Sequence, residues 1–208
     1  MIWAAPKDAE ITNLEKVDED FLNDLLLLES DLDALGWDQP ARLYLVQEMH
    51  GKPVLVLISD MDNHPVEFLK FVLDTMGPAP DEAIGIAIAN EGWRHPHARD
   101  IEKDDPEAWA VFMEKAVEHG FDLSTDMDQI YKHINNVLER LFSHVRPSDN
   151  PKRKELRSVM VIMRDGRGGG VYRDRGDEPQ AVEVNTYGRL YDAMNAMLTG
   201  VWPDDLEV

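Results

Sequence analysis

Cysteine is absent from the 208-residue chain. Disulfides and thiolate zinc sites are therefore excluded. Positive charge is scarce: 21 Lys and Arg face 41 Asp and Glu, for a net charge of −20. Such a surface repels a phosphate backbone and an anionic bilayer surface, so neither nucleic acid nor membrane is an expected partner. Long apolar runs are missing too. Those present, such as Val54–Ile58, are strand-sized and far short of the roughly 20 residues that cross a bilayer. The opening residues M-I-W-A-A-P-K-D-A-E lack a basic start followed by an apolar core, so no secretory leader is read. These absences point to a cytoplasmic protein.

What is present suffices for a core, with 43% hydrophobic residues. Residues 1–17 carry no clean period and read as a loosely attached arm. Asp18 to Leu35 reads as a helix capped by Asp18, with Phe21, Leu22, Leu25, Leu28, Leu32 and Leu35 at helical spacing and Gly36 as its stop. Ala41–Met49 and Pro53–Ser59 read as strands joined by a tight His50-Gly51 turn. The second carries V-L-V-L-I, apolar on both faces, which places it in the middle of a sheet. A helix follows, capped by Asp62 or Asn63, with Val66, Leu69, Val72, Leu73 and Met76 as its stripe.

Ala83–Asn90 reads as a third strand, with Ile on one face and small residues on the other. Two helices then run from Asp105 to Gly120 and from Ser124 to Val145. Strands return at Ser158–Met163 and from Val171, joined by a glycine-rich tip over Asp165–Gly170. Ala181–Val184 supplies a short edge strand, and Tyr187–Leu198 a last helix.

Hairpins near both ends favour an antiparallel sheet. The expected class is α+β: five strands, six with the edge strand, packed with helices. Residues 18–208 form a single domain, with a helical insertion over about residues 104–145. Without it the order α-β-β-α-β-β-β-α is similar to the roadblock and profilin-like sandwiches, a likeness of topology that carries no function.

The segment R-P-S-D-N-P-K-R-K-E-L-R, running into a strand that ends R-D-G, spans Arg146 to Gly166. Together with A-L-G-W-D-Q-P-A-R-L-Y-L-V (34–46) and N-E-G-W (90–93), it resembles a family of small acidic actinobacterial proteins. The resemblance implies no activity, no cofactor and no catalytic residues. Physically, Pro147 and Pro151 hold the chain extended before the strand. Arg146, Arg153, Arg157 and Arg164 could line an anion or partner site, against the simpler reading of a loop locked by ion pairs.

The remaining chemistry is sparse. Asp60, Asp62 and His64 alternate after the second strand, where capping is the commoner role. Glu91, His95 and His97, with Asp60, form the one candidate metal set, of the His-His-carboxylate kind. Gly166–Gly170 leads from strand to strand, unlike a phosphate cradle, which leads into a helix. No Gly-x-Ser-x-Gly occurs. No cofactor is expected. Two readings follow. One is a non-catalytic protein-interaction module, homodimeric, with a protein partner or a second copy docking on a charge-polarised surface. The other is a small metal-binding protein or metal-dependent hydrolase using the His/carboxylate loop.

Overall fold

The computed structural model describes residues 15–61, 64–124, 126–142, 145–182, 189–204 and 206. The chain divides into two compact units, Trp93–Glu155 and the remainder on either side of it. The class is α+β, with six helices and a mixed, mostly antiparallel seven-stranded sheet among the described residues. Among the described residues, no helix is long and apolar enough to cross a membrane.

The strands are β1 (Glu15–Lys16), β2 (Ala41–Met49), β3 (Lys52–Met61), β4 (Ala83–Arg94), β5 (Lys154–Met163), β6 (Arg167–Asp174) and β7 (Gln180–Val182). Their order is β1-β6-β5-β4-β2-β3, with β7 also pairing β6. The β2–β3 hairpin turns through His50 and Gly51 at φ 54° and 77°, the pair of positive values that a two-residue turn needs to match strand twist. β2 pairs β3 on one side and β4 on the other.

That double pairing of β2 leaves β3 at the sheet edge, not in the middle where its V-L-V-L-I composition put it. The hairpin offers β4 two possible neighbours of similar character, and local pattern does not choose between them. The sheet also holds more strands than the five or six expected. The extra one is β1, which pairs β6 in parallel and so takes Glu15 and Lys16 out of the expected arm.

Alternation along the central strands sorts their side chains onto two faces. Helix α1 (Glu19–Ala34) covers one. Its Phe21, Leu25 and Leu32 pack with Tyr44, Val46, Ala87, Ala89, Val159 and Val171. Helices α2 (Pro65–Met76) and α6 (Arg189–Thr199) cover the other. There Leu69, Val72, Met194 and Met197 meet Leu43, Ile86, Ile88 and Ile162. The small Ala87 and Ala89 let α1 approach closely, as their alternation with isoleucine implies.

Asp18 caps α1, accepting from the Phe21 N–H at 2.8 Å. The described cap of α2 is His64, whose Nδ1 accepts from the Val66 N–H at 3.4 Å. The expected caps Asp62 and Asn63 lie outside the described residues, as do Tyr187 and Val184. Leu35 and Met76, read as part of buried stripes, are 58% and 76% exposed, because each sits at a helix end beyond the sheet it would have to touch.

The Trp93–Glu155 unit contains α3 (Ala98–Asp104), α4 (Pro106–Glu118), α5 (Met127–Phe142) and a 3-10 turn, Pro147–Asp149. Its own core joins Ala98, Ile101, Ala116, Ile130, Ile134 and Leu138. Helix α3 falls in a stretch read from sequence only as polar. Its seven residues are too short to show a period.

The glycines after Asp165 do not form a loose tip. The turn is confined to Arg164–Gly166, and Gly168, Gly169 and Gly170 are buried within β6. A Cβ on Gly169 would stand 2.6 Å from Val17 Cγ2. The glycine is there because Val17, following β1, lies against the strand. Gly169→Ala should therefore cost about 1–3 kcal/mol by overpacking. Adding Val17→Ala should recover part of that loss, as read by denaturant unfolding.

Candidate functional site

The four residues of the expected metal set each have structural roles. Asp60 Oδ1 accepts from Arg42 Nε at 3.0 Å. Glu91 Oε2 accepts from the Asp38 N–H at 2.7 Å. His95 stacks on Phe142, with ring centroids 5.0 Å apart, and its ring nitrogens meet Asn150 Nδ2 at 3.1 Å and the Val145 carbonyl at 3.0 Å. His97 opens α3, and its backbone N–H donates to Asp100 Oδ2 at 2.6 Å. Among the described residues, no three His, Asp or Glu side chains come together as a metal site would require. In the alternating set after β3, His64 caps α2 and Asp60 pairs with Arg42, while Asp62 is outside the described residues.

The expected partner arginines separate in the same way. Arg157 is 2% exposed. Its Nη2 donates to the Gly36 carbonyl at 2.6 Å and to Glu91 Oε1 at 2.7 Å, and its Nε reaches the same oxygen at 3.0 Å. Its Nη1 lies 3.5 Å from Asp33 Oδ1 and 3.6 Å from Glu29 Oε1. The plane of the guanidinium stands 4.7 Å over Trp37. Glu29, fully buried, also receives Arg173 Nε at 2.7 Å. This network joins three separate sequence segments: Gly36, Trp37 and Asp38 from residues 34–46, Glu91 from residues 90–93, and Arg157 from residues 146–166.

Arg164, just past β5, is exposed as a residue but its guanidinium is held by backbone. Its guanidinium donates to the carbonyls of Ala83, Leu198, Ala79 and Pro80, which locks the end of β5 to the start of β4 and the end of α6. Beside it lies an open pocket of about 340 Å³ bordered by Met163, Tyr191, Asn195 and Thr199. Burial raises the Tyr191 pKa, so the pocket presents a neutral phenol.

In the Trp93–Glu155 unit the proline-rich segment is pinned by Asn150, a buried amide whose Oδ1 accepts from the Lys152 N–H at 2.9 Å. Arg153 covers the Trp93 ring at 4.4 Å. Lys152 pairs with Asp105, and Lys154 with Asp104. Arg146 is exposed where the 3-10 turn begins. The basic stretch thus meets its own acidic neighbours. With carboxylates in twofold excess, Lys152 and Lys154 find acidic partners close by.

Exposed apolar character is concentrated differently. The strand run Val54–Ile58 occupies the open edge, with Val54, Leu55 and Val56 half-buried, Leu57 50% exposed and Ile58 44% exposed. No described strand pairs with its outer side. Other large exposed apolar residues lie on helices, such as Leu27 on α1, Phe71 and Met76 on α2, and Val137 and Leu141 on α5, and on strand ends and loops, such as Met49 and Leu123.

Removing Arg157 should leave Glu29 and Glu91 without their cation. Arg157→Met is expected to cost about 3–5 kcal/mol, measured by denaturant unfolding. Glu29→Gln in the same chain should recover part of it.

Asp100 gives a pH test. Its burial favours the neutral acid, but the hydrogen bonds from Arg94 and the His97 N–H outweigh this and lower its pKa. A lowered folded-state pKa adds stability above the unfolded value of about 3.9, and that stability is lost as pH falls through the folded value. Asp100→Asn should be less stable than the parent near neutral pH and should lose less on acidification below about pH 4.

No protein-family model matches the chain, and no curated protein matches it.

Proposed function

We propose that the protein is a non-catalytic protein-interaction module that self-associates through an added strand. One observation carries the reading: an uncharged, apolar five-residue run lies on a sheet edge with which no described strand pairs. Monomeric proteins blunt such edges with charge, proline or a bulge, because free N–H and C=O groups invite pairing. Here Lys52 and Pro53 stand at one end. A register shift against β2, between Leu43 and Tyr44, leaves Ile58 at the other end of the run without a partner on β2. From Val54 to Leu57 the edge carries no such guard.

The polar groups support the same reading. Arg157, Arg173 and Arg164 hold segments of the sandwich together, and His95, His97 and Glu91 hold loops. Arg164 borders the open pocket, but a guanidinium bonded to four carbonyls is neither a general base nor a nucleophile. Strand addition draws affinity from main-chain hydrogen bonds and specificity from alternate side chains, and this edge supplies both.

Light scattering across a concentration series tests the proposal. The mass should rise from 23.7 kDa for the single chain towards twice that value. Leu57→Lys should shift the midpoint to at least about tenfold higher concentration, because a charge would then enter an apolar strand contact. A chain that remains a monomer throughout the series overturns it.

A further inference from the structure

Two backbone groups fix where the His95 ring carries its hydrogen. The Val145 carbonyl only accepts, so the Nε2 that meets it at 3.0 Å is protonated. The Lys152 N–H only donates, so the Asn150 atom that meets it at 2.9 Å is the amide oxygen. That orientation turns Asn150 Nδ2 toward His95 Nδ1, 3.1 Å away. An amide nitrogen only donates, so Nδ1 offers a lone pair. Both constraints select the same state of the ring: neutral, with its hydrogen on Nε2.

An imidazolium breaks this arrangement. It would set an N–H on Nδ1 against the N–H of Asn150. Turning the amide over moves the conflict without removing it, because Nδ2 then faces the Lys152 N–H. Asn150 is 3% exposed, so water does not replace the lost bond while the loop stays in place. The surroundings do not offset the charge. Among the described residues, no carboxylate bonds to the ring. β4 ends in Arg94, whose guanidinium donates to the His95 carbonyl and pairs with Asp100. α5 presents the Phe142 ring, stacked at 5.0 Å. The charged residues of the loop itself are Arg146, Asp149 and Lys152, and the Lys152 ammonium is held by Asp105.

We propose that His95 and Asn150 form a proton-operated latch on the loop of residues 145–152, closed while the ring is neutral and released when it gains a charge. Asn150 is well placed to hold the loop. Its side chain accepts from the Lys152 N–H, and its carbonyl accepts from the Arg153 N–H at 3.0 Å. Arg153 in turn covers Trp93, so release of Asn150 loosens that contact as well. All of these residues belong to the Trp93–Glu155 unit, and the latch acts within it. The closed loop excludes the second ring proton and the open loop accepts it, so acid shifts the population toward open. The latch is therefore intact above the ordinary histidine range, about 6.5, and is lost as pH falls below it. Ordinary carboxylates stay ionised down to about pH 5, as does Asp100 with its lowered pKa.

Amide hydrogen exchange on the intact chain tests the latch, with each rate divided by the intrinsic rate at its pH. Between about pH 8 and about pH 5, protection of the Lys152 and Arg153 amides should fall at least about tenfold, the effect of one buried hydrogen bond. Amides around Ile134 in α5 should keep theirs. His95→Gln has no ring to titrate and should lose the response. Asn150→Asp supplies one acceptor for Lys152 and a second for an imidazolium, so its loop should be at least as protected at the lower pH as at the higher. The ring nitrogen shifts of His95 in the parent at the higher pH should report the Nε2–H form.

Equal protection of the parent loop at both pH values overturns the latch. So does a response that survives in His95→Gln, a parallel loss of protection in α5, or an Nδ1–H ring. Should Asn150→Asp fold poorly, the ring shifts and His95→Gln still decide.

Discussion

The burial of one guanidinium governs how the sandwich is joined. Arg157 leaves the centre of β5 and meets Glu91 on β4, the carboxylates Glu29 and Asp33 on α1, and the backbone at Gly36. An unpaired charge in that position would cost several kcal/mol of desolvation, so the four segments must be present together for any of them to be stable there. Glu29 shares the constraint, since it is fully buried and is held by Arg157 and Arg173. The consequence is a fixed relation between the end of α1, the turn into β2 and the middle of the sheet. It also binds Trp37 and Asp38, which would otherwise be ordinary loop residues.

A chain so rich in carboxylates places candidates near several of its cations, and the fold brings some of them into range. Arg173 finds Glu29 and Asp33, Lys154 finds Asp104, and Lys152 finds Asp105. The apolar V-L-V-L-I run is unsuited to an edge unless something pairs with it, and this tension between composition and position is the ground for the proposed interaction role. The reading depends on where β3 sits. It does not depend on any reactive group.

The sequence alone established a good deal. The 3.6-residue recurrence of Phe21, Leu25 and Leu32 marked α1 and its buried side. The Ile/Ala alternation of β4 correctly implied two different faces, because period two is a local property of the strand. Asp18 was legible as a cap, and the His50-Gly51 turn as a hairpin, since both depend on neighbours a few residues away. The α+β class followed from the order of these elements.

Everything that depended on residues far apart in the chain needed tertiary structure. Arg157 and Glu91 are 66 positions apart, and nothing local in R-K-E-L-R distinguishes a buried hub from a surface arginine. His95 read as a possible ligand because its stacking partner, Phe142, and its amide partner, Asn150, come from distant segments. Gly169 read as a flexible tip because Val17, the side chain it makes room for, belongs to another element. The choice of β2 over β3 as the neighbour of β4 was made by packing between two nearly equivalent strands. That choice turned a run written for the middle of a sheet into its open side, and no local pattern encodes it.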